Sequence, residues 1–174
     1  VSMVAPHFPL IAPREFYDLY DKIGLMPTKP RDAPEHPWHH AMRNCQIMDN
    51  FTSERTRVAL ASYYGLVTFI DDLIGKILRV VEQNGLSENT QIFYLSDHGD
   101  NIGERDLWGK SNFYEESVGI PCIIKGPGIP VEKTVKTPVS LIDVCPTILK
   151  TAGITPEAKP GTSLVDLANA EDNL

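Results

Sequence analysis

The chain has 174 residues, which is one domain's worth and enough to bury a core. Hydrophobic residues make up 42% and charged residues 22%, an ordinary globular composition, and the net charge of −7 disfavours a broad nucleic-acid or acidic-membrane surface while leaving room for a small positive pocket. No uninterrupted apolar run reaches the length of about 20 residues that a bilayer span needs, so no membrane span is expected. The opening "VSMVA" is too short for a signal peptide and has no basic n-region. It starts mid-element, like the later part of something longer, which leaves the compartment, cytoplasmic or periplasmic, undecided.

Residues 1–13, "VSMVAPHFPLIAP", read as a short strand that breaks into a proline-punctuated loop. "REFYDLYDKI" is a short amphipathic helix. Residues 27–40, "PTKPRDAPEHPWHH", hold four prolines and three histidines and read as an irregular surface loop. The strongest helix runs from about Thr52 to Asn84. Thr52 or Ser53 caps it, Glu54 suits its first turn, and Gly85 suits the position just beyond its end. Val67, Ile70, Ile74, Ile77 and Val81 recur at steps of three or four and predict one apolar face, with a bend near Gly65.

"TQIFYLS" (90–96) is a strand, and a second apolar strand begins at Ile120. A helix over about Leu141–Ala152, closed by Gly153, and a loop with a short terminal helix complete the chain. Alternation of helix and strand predicts an α/β layered fold with a mainly parallel sheet. Cys45, Cys122 and Cys145 are too few and too unevenly spaced for a disulfide framework or a CxxC metal knuckle, and read as free thiols.

Chemistry concentrates in "IFYLSDHGDNIGERDLWGKSNFYEESVGIPCIIKGPG" (92–128). In open α/β sheets ligands bind outside the carboxyl ends of strands. The first strand here ends on Asp97-His98, and Gly99 lets the chain turn. A carboxylate and a neutral imidazole are a reasonable pair of divalent-cation ligands, though two donors do not complete a site. The alternative on spacing alone is a loop-capping aspartate beside a half-buried histidine. The long loop that follows, held between core strands, is where function tends to sit. It carries Lys110 between Gly109 and Ser111, a candidate for an anionic oxygen or else a solvated lysine.

At these residues the sequence resembles the sulfatase signature of the alkaline-phosphatase-like superfamily. In that family a strand ends in Asp, then Asn or His, then Gly; a "G-E…LW.K…YE" loop and a "…P.I…PG" strand follow. "PHFPLIAPREFYDLY" (6–20), "SYYGLVTFIDDLIGKIL" (62–78), "SLIDVCPTILKTAGI" (140–154) and "GTSL" (161–164) are similar to other family segments, so the likeness spans nearly the whole chain. The Asp-His variant is nearest to choline-sulfatase, arylsulfatase and phosphonate monoester hydrolase members. The resemblance implies an alkaline-phosphatase-like α/β/α layered fold, present as a fragment. Residues 1–174 would be a single domain, the C-terminal portion of a sulfatase catalytic domain.

It further implies a metal-dependent sulfuric ester hydrolase acting on a small-molecule sulfate ester. Asp97 and His98 would be ligands of a divalent metal, calcium first, with manganese or magnesium as alternatives. Lys110 would contact the sulfate oxygens and the charge growing at the leaving oxygen. His7 would bind the sulfate or protonate the leaving group. The family's nucleophile, a cysteine or serine in a C/S-x-P-x-R segment matured to formylglycine, is not found in these 174 residues, nor is its early Asp-Asp metal pair. Asp71-Asp72 falls in the predicted helix, on its solvated side. The fragment alone is therefore expected to be inactive. Other readings are a phosphodiesterase or phosphonate monoester hydrolase of the same superfamily, or a non-catalytic binding module that keeps the half-fold. His36, His39 and His40 could bind a metal or, with Trp38, border the substrate pocket; the second use is the one expected.

Overall fold

The computed structural model describes residues 1–46, 51–155 and 160–170. They divide into two compact units. The first comprises Val1–Asn84 with His98–Ile120, and the second Gly85–Asp97 with Pro121–Leu174.

The first unit is organised by helix α3 (Ser53–Gln83). Thr52 caps it, its side chain accepting from Arg55 N at 3.3 Å, and Gly85 adopts φ +66 just past the C-terminal cap Asn84. The expected stripe is only half right. Ile70 is buried, but Val67 is 42% exposed, and the buried face starts earlier, at Thr56, Leu60, Ala61, Ser62, Gly65 and Leu66. Short helix α1 (Arg14–Tyr17) explains the shift, because it packs on α3. The helix runs unbroken through Gly65. This glycine admits the Ala12 Cβ and the Phe16 carbonyl, which would stand 3.0 and 3.1 Å from any Cβ placed there. Phe16 lies against Phe69 with ring centroids 5.4 Å apart, and the Tyr20 hydroxyl is 2.7 Å from Thr68 Oγ1. By length and composition α3 is also long and apolar enough to cross a membrane. A count of uninterrupted apolar residues misses this because Asp71, Asp72, Lys76 and Arg79 break its run. Asp71 is exposed and Asp72 pairs with Lys76 at 2.7 Å, as a solvated helix side would.

Two segments of this unit differ from expectation. Residues 1–13 form no strand; they fold into local turns, His7 N donating to Val4 O at 3.0 Å and Ile11 N to Pro9 O at 2.9 Å. Pro6, Pro9 and Pro13 have no N–H to give a sheet ladder. Within the proline-rich stretch, Pro37–Cys45 is helix α2. Proline at the first helical position starts a helix rather than breaking one, and His36 caps it by accepting from Trp38 N at 3.1 Å. Helix α4 (Glu115–Val118) closes the loop that begins at His98.

In the second unit, β1 (Ile92–Leu95) pairs with β2 (Cys122–Lys125), Ile92 opposite Lys125 and Leu95 opposite Cys122. The pair is antiparallel, so the mainly parallel sheet expected from the alternation is not the arrangement of the described strands. A parallel neighbour needs a crossover, usually a helix of its own; between Leu95 and Cys122 the chain offers a loop and the one-turn α4. The unit also holds α5 (Val144–Thr151) and α6 (Leu164–Asn169), with Gly153 at φ +74 closing α5. Thr147, fully buried, joins the two: its hydroxyl donates to Asp143 O at 2.5 Å and accepts from Leu164 N at 2.8 Å. Asp143 completes a capping box with Ser140 and takes Thr162 N at 2.7 Å. All three cysteines are free and exposed.

Candidate active site

His98 opens the loop of the first unit, and Gly99 fixes the loop's direction. Gly99 N donates to Ser117 O at 2.8 Å, and a Cβ on Gly99 would overlap the carbonyl oxygen of Glu116. Only glycine allows α4 to come this close. Beyond it, Ile102, Arg105, Asp106 and Ser111 all have positive φ, at 40, 56 or between for the first three and 84 for Ser111. Such backbone costs energy in residues other than glycine, so other contacts must hold it.

Those contacts are mostly polar and reach two distant segments. The Glu104 carboxylate accepts Thr28 N at 3.0 Å and Lys29 N at 2.6 Å, and Arg105 N donates to Lys29 O at 3.0 Å. Arg31 pairs with Asp106 at 2.6 Å. Arg105 lies 4.0 Å over the Tyr114 ring and donates to Glu116 at 3.0 Å, while Lys29 pairs with the same carboxylate. Helix α2 adds Trp38 Nε1 to Ser111 O at 2.7 Å, His39 Nδ1 to the Tyr114 hydroxyl at 3.0 Å, and Arg43 Nη1 to Arg105 O at 2.8 Å. Gln46 holds Trp108 from both sides, 2.7 Å to its carbonyl and 3.1 Å from its N–H. Leu107 is the loop's one fully buried apolar anchor.

Burial works to raise the Glu116 pKa, but the hydrogen bond from Lys29, then one from the Glu116 backbone, then the Arg105 charge outweigh it and hold the carboxylate below its ordinary value. Burial and then the hydrogen bond to Asp32 push the Tyr114 phenol up. Arg43 is buried among cations and carboxylates; desolvation, then the nearby Arg31 charge, lower its pKa.

Inside this frame three of the four residues singled out in the sequence converge. Lys110 Nζ is 3.2 Å from His7 Nε2 and also hydrogen-bonds His98 Nε2, and the two imidazole rings have centroids 5.9 Å apart. Both rings turn Nδ1 to the carbonyl of the next residue, His7 to Phe8 O at 3.0 Å and His98 to Gly99 O at 2.8 Å. A carbonyl only accepts, so each Nδ1 carries the proton and each Nε2 presents a lone pair toward Lys110. The fourth residue, Asp97, is exposed and belongs to the second unit, since the unit boundary falls at the Asp97–His98 peptide.

His36, His39 and His40 do not gather on a common point. His36 caps α2, His39 meets Tyr114, and His40 lies 3.9 Å from Glu35. Their segment does border the Lys110 loop, through Trp38 and His39. The polar frame itself is absent from the sequence reading. Its only signal there was four charges, Glu104, Arg105, Asp106 and Glu116, crowded into a loop rich in aromatics.

Residues 1–154 match the family model described as Sulfatase. The chain belongs to the sulfatase family. It is 34% identical over 181 residues to a choline-sulfatase of Rhizobium meliloti (strain 1021), covering 97% of this chain and 35% of that protein. It is 36% identical over 157 residues to arylsulfatase K of Xenopus laevis, covering 88% of this chain and 29% of that one. Among solved structures, the phosphonate monoester hydrolase from Silicibacter pomeroyi superposes with a TM-score of 0.85 at 29% identity, over 97% of this chain and 37% of that chain. The fold class is thus the α/β fold of the sulfatases and the alkaline-phosphatase-like superfamily. The chain spans about a third of the length of the curated relatives it matches.

Proposed function

We propose that this chain is the C-terminal portion of the catalytic domain of a metal-dependent sulfuric ester hydrolase, working within a longer chain on a small-molecule sulfate ester. The observation that supports this most is the meeting of Lys110 with His7, 103 residues away, and with His98. As a sulfate ester breaks, negative charge grows on its non-bridging oxygens and on the leaving oxygen. Preorganised cationic donors lower the energy of that charge. In this reading Lys110 contacts the sulfate oxygens and the growing charge, and His7 binds the sulfate or, once its Nε2 has taken up a proton, delivers that proton to the leaving oxygen.

The donor chemistry of Asp97 and His98 fits a divalent cation. One is an exposed carboxylate; the other has Nδ1 engaged with Gly99 O, so its lone-pair nitrogen is Nε2, where a bound cation would take the place of the Lys110 hydrogen bond. These two would hold the ion, calcium or alternatively manganese or magnesium, whose charge would polarise the ester oxygens. Among the described residues no group of three His, Cys, Asp or Glu side chains gathers, and calcium takes about six to eight oxygens. The remaining donors and the formylglycine nucleophile therefore belong to the rest of the longer protein in this reading.

A second reading, phosphonate monoester hydrolysis, is favoured by the superposition on the Silicibacter pomeroyi enzyme. The test is steady-state kinetics of the full-length protein on paired aryl sulfate and phosphonate esters. A higher kcat/KM on the sulfate is expected, and the reverse order would establish the second reading. Turnover on neither, with metal still bound, would leave the binding-module reading. Lys110→Ala should lower kcat by about a hundredfold or more with little change in melting temperature. Lys110→Arg should restore little, because a planar fork does not replace a compact ammonium. A Lys110→Ala protein with near-normal turnover would sink the role given to the lysine. The 174-residue chain alone should show no sulfatase turnover, lacking a nucleophile; hydrolysis by it that vanishes in Asp97→Ala would overturn the division of the active centre.

A further inference from the structure

Lys110 is flanked by two residues in the left-handed region, Gly109 at φ +69 and Ser111 at φ +84. A lysine so placed is aimed by whatever grips its neighbours. On the C-terminal side Trp38 Nε1 holds Ser111 O at 2.7 Å. On the N-terminal side Gly109 is gripped at both its backbone groups by two consecutive residues. Its N–H donates to Asp100 Oδ1 at 3.0 Å. Its carbonyl accepts from Asn101 N at 2.7 Å and from Asn101 Nδ2 at 2.6 Å. The same Asp100 Oδ1 also takes Ile102 N at 2.8 Å, forming a local turn, and Asn101 is fully buried.

Asp100 and Asn101 stand two and three residues after His98. The segment that carries one partner of the lysine therefore also sets the peptide from which the lysine hangs. We infer that Asp100 and Asn101 are positioning residues for the His98–Lys110 pair, clamping Gly109 so that the Lys110 ammonium stays in reach of the two imidazoles. The catalytic consequence rests on the hydrolase reading; the clamp does not. Asp100 acts here as a two-fold acceptor through one oxygen. The amide oxygen of asparagine can do the same, so the negative charge is not required. Serine can keep the local turn to Ile102, but its side chain is too short to reach Gly109 as well.

The experiment compares wild type, Asp100→Asn, Asp100→Ser and Asp100→Ala in the full-length protein, with thermal melts. Two quantities are read: kcat and KM on an aryl sulfate and a phosphonate ester, and the nitrogen-15 NMR signal of the Lys110 ammonium, which its hydrogen bonds protect from exchange with water. Asp100→Asn should stay near wild type in both. Asp100→Ala should lower kcat by roughly tenfold to a hundredfold, the scale of an ångström's misplacement, with KM much less affected, and should lose the ammonium signal. Asp100→Ser should behave like Asp100→Ala in both readouts while melting like wild type, which keeps the test alive if the alanine variant unfolds. Equal damage from Asn and Ala would overturn the clamp in favour of a role for the charge. A serine variant that keeps both kcat and the ammonium signal would also overturn it. If wild type hydrolyses neither ester, the hydrolase reading fails, and the ammonium signal alone decides the clamp.

Discussion

Helix α3 and the loop from His98 to α4 are both held in the first unit, but by different means. The helix is held by packing: Leu60, Ala61, Leu66 and Ile70 are buried, and a glycine lets α1 close on it. The loop buries one large apolar side chain, Leu107, and is otherwise tied by carboxylates, guanidiniums, amides and an indole. Packing is additive and forgiving in direction. Hydrogen bonds are directional, and a buried group left unpaired costs more than the bond returned. A segment that must aim one ammonium is better served by the second kind of contact, at the cost of tolerating few substitutions.

Four substitutions test that contrast, from the largest expected effect down. Leu60→Ala should destabilise by about 2–5 kcal/mol in a denaturant titration, with a cavity left in the helix face; a loss well under 1 kcal/mol would show that α3 is not held by packing. Gly99→Ala should cost about 1–3 kcal/mol, since its Cβ meets the Glu116 carbonyl and backbone must shift. It should also disturb Lys110 chemistry, which Leu60→Ala should not; equal effects on the two readouts would erase the distinction between regions.

Glu116→Gln should cost about 1–3 kcal/mol at neutral pH, the range for hydrogen bonds to charged groups, and the pH dependence carries the sharper sign. Lys29 and Arg105 hold the folded pKa of Glu116 below its ordinary value of 4.5. Its contribution is therefore complete above the unfolded pKa and is lost as pH falls through the depressed folded one. The stability gap between wild type and Glu116→Gln should begin to narrow as pH falls through about 4.5 and go on narrowing as the pH drops further; a gap that stays constant down through the acid range would remove the charge from the account. Smallest of all, Val67→Ser should change stability by less than about 0.5 kcal/mol, because Val67 is 42% exposed. A larger loss would restore Val67 to the buried face.

What could be read from the sequence follows the same division. Thr52, Gly85, Gly153 and the run "IFYL" state their roles locally, through caps and periodicity, and the structure places elements there. Val67 was misassigned because periodicity reports an apolar stripe and not which part of it a neighbour covers; Gly65, read from the sequence as a bend, is where Phe16 of α1 comes close. Helix α2 was hidden by prolines whose effect reverses at a first helical position. An ordered motif carries Asp97, His98, Lys110 and His7, and of these the structure brings His7, His98 and Lys110 together. The ties from Glu104 to Thr28 and from Tyr114 to His39 span 76 and 75 residues, and no local pattern encodes contacts of that reach.

The chain has only two tryptophans, and both serve the Lys110 loop. Trp38 bonds Ser111 through its indole nitrogen, and Trp108 stacks on Phe51 with ring centroids 4.8 Å apart. In the 174-residue chain, intrinsic fluorescence excited at the red edge of indole absorption therefore reports on this loop and on the α2 and Phe51 segments that touch it, with no tryptophan in the second unit. In that chain, an emission shift on adding an anion or a metal salt would register rearrangement beside Lys110 without any label.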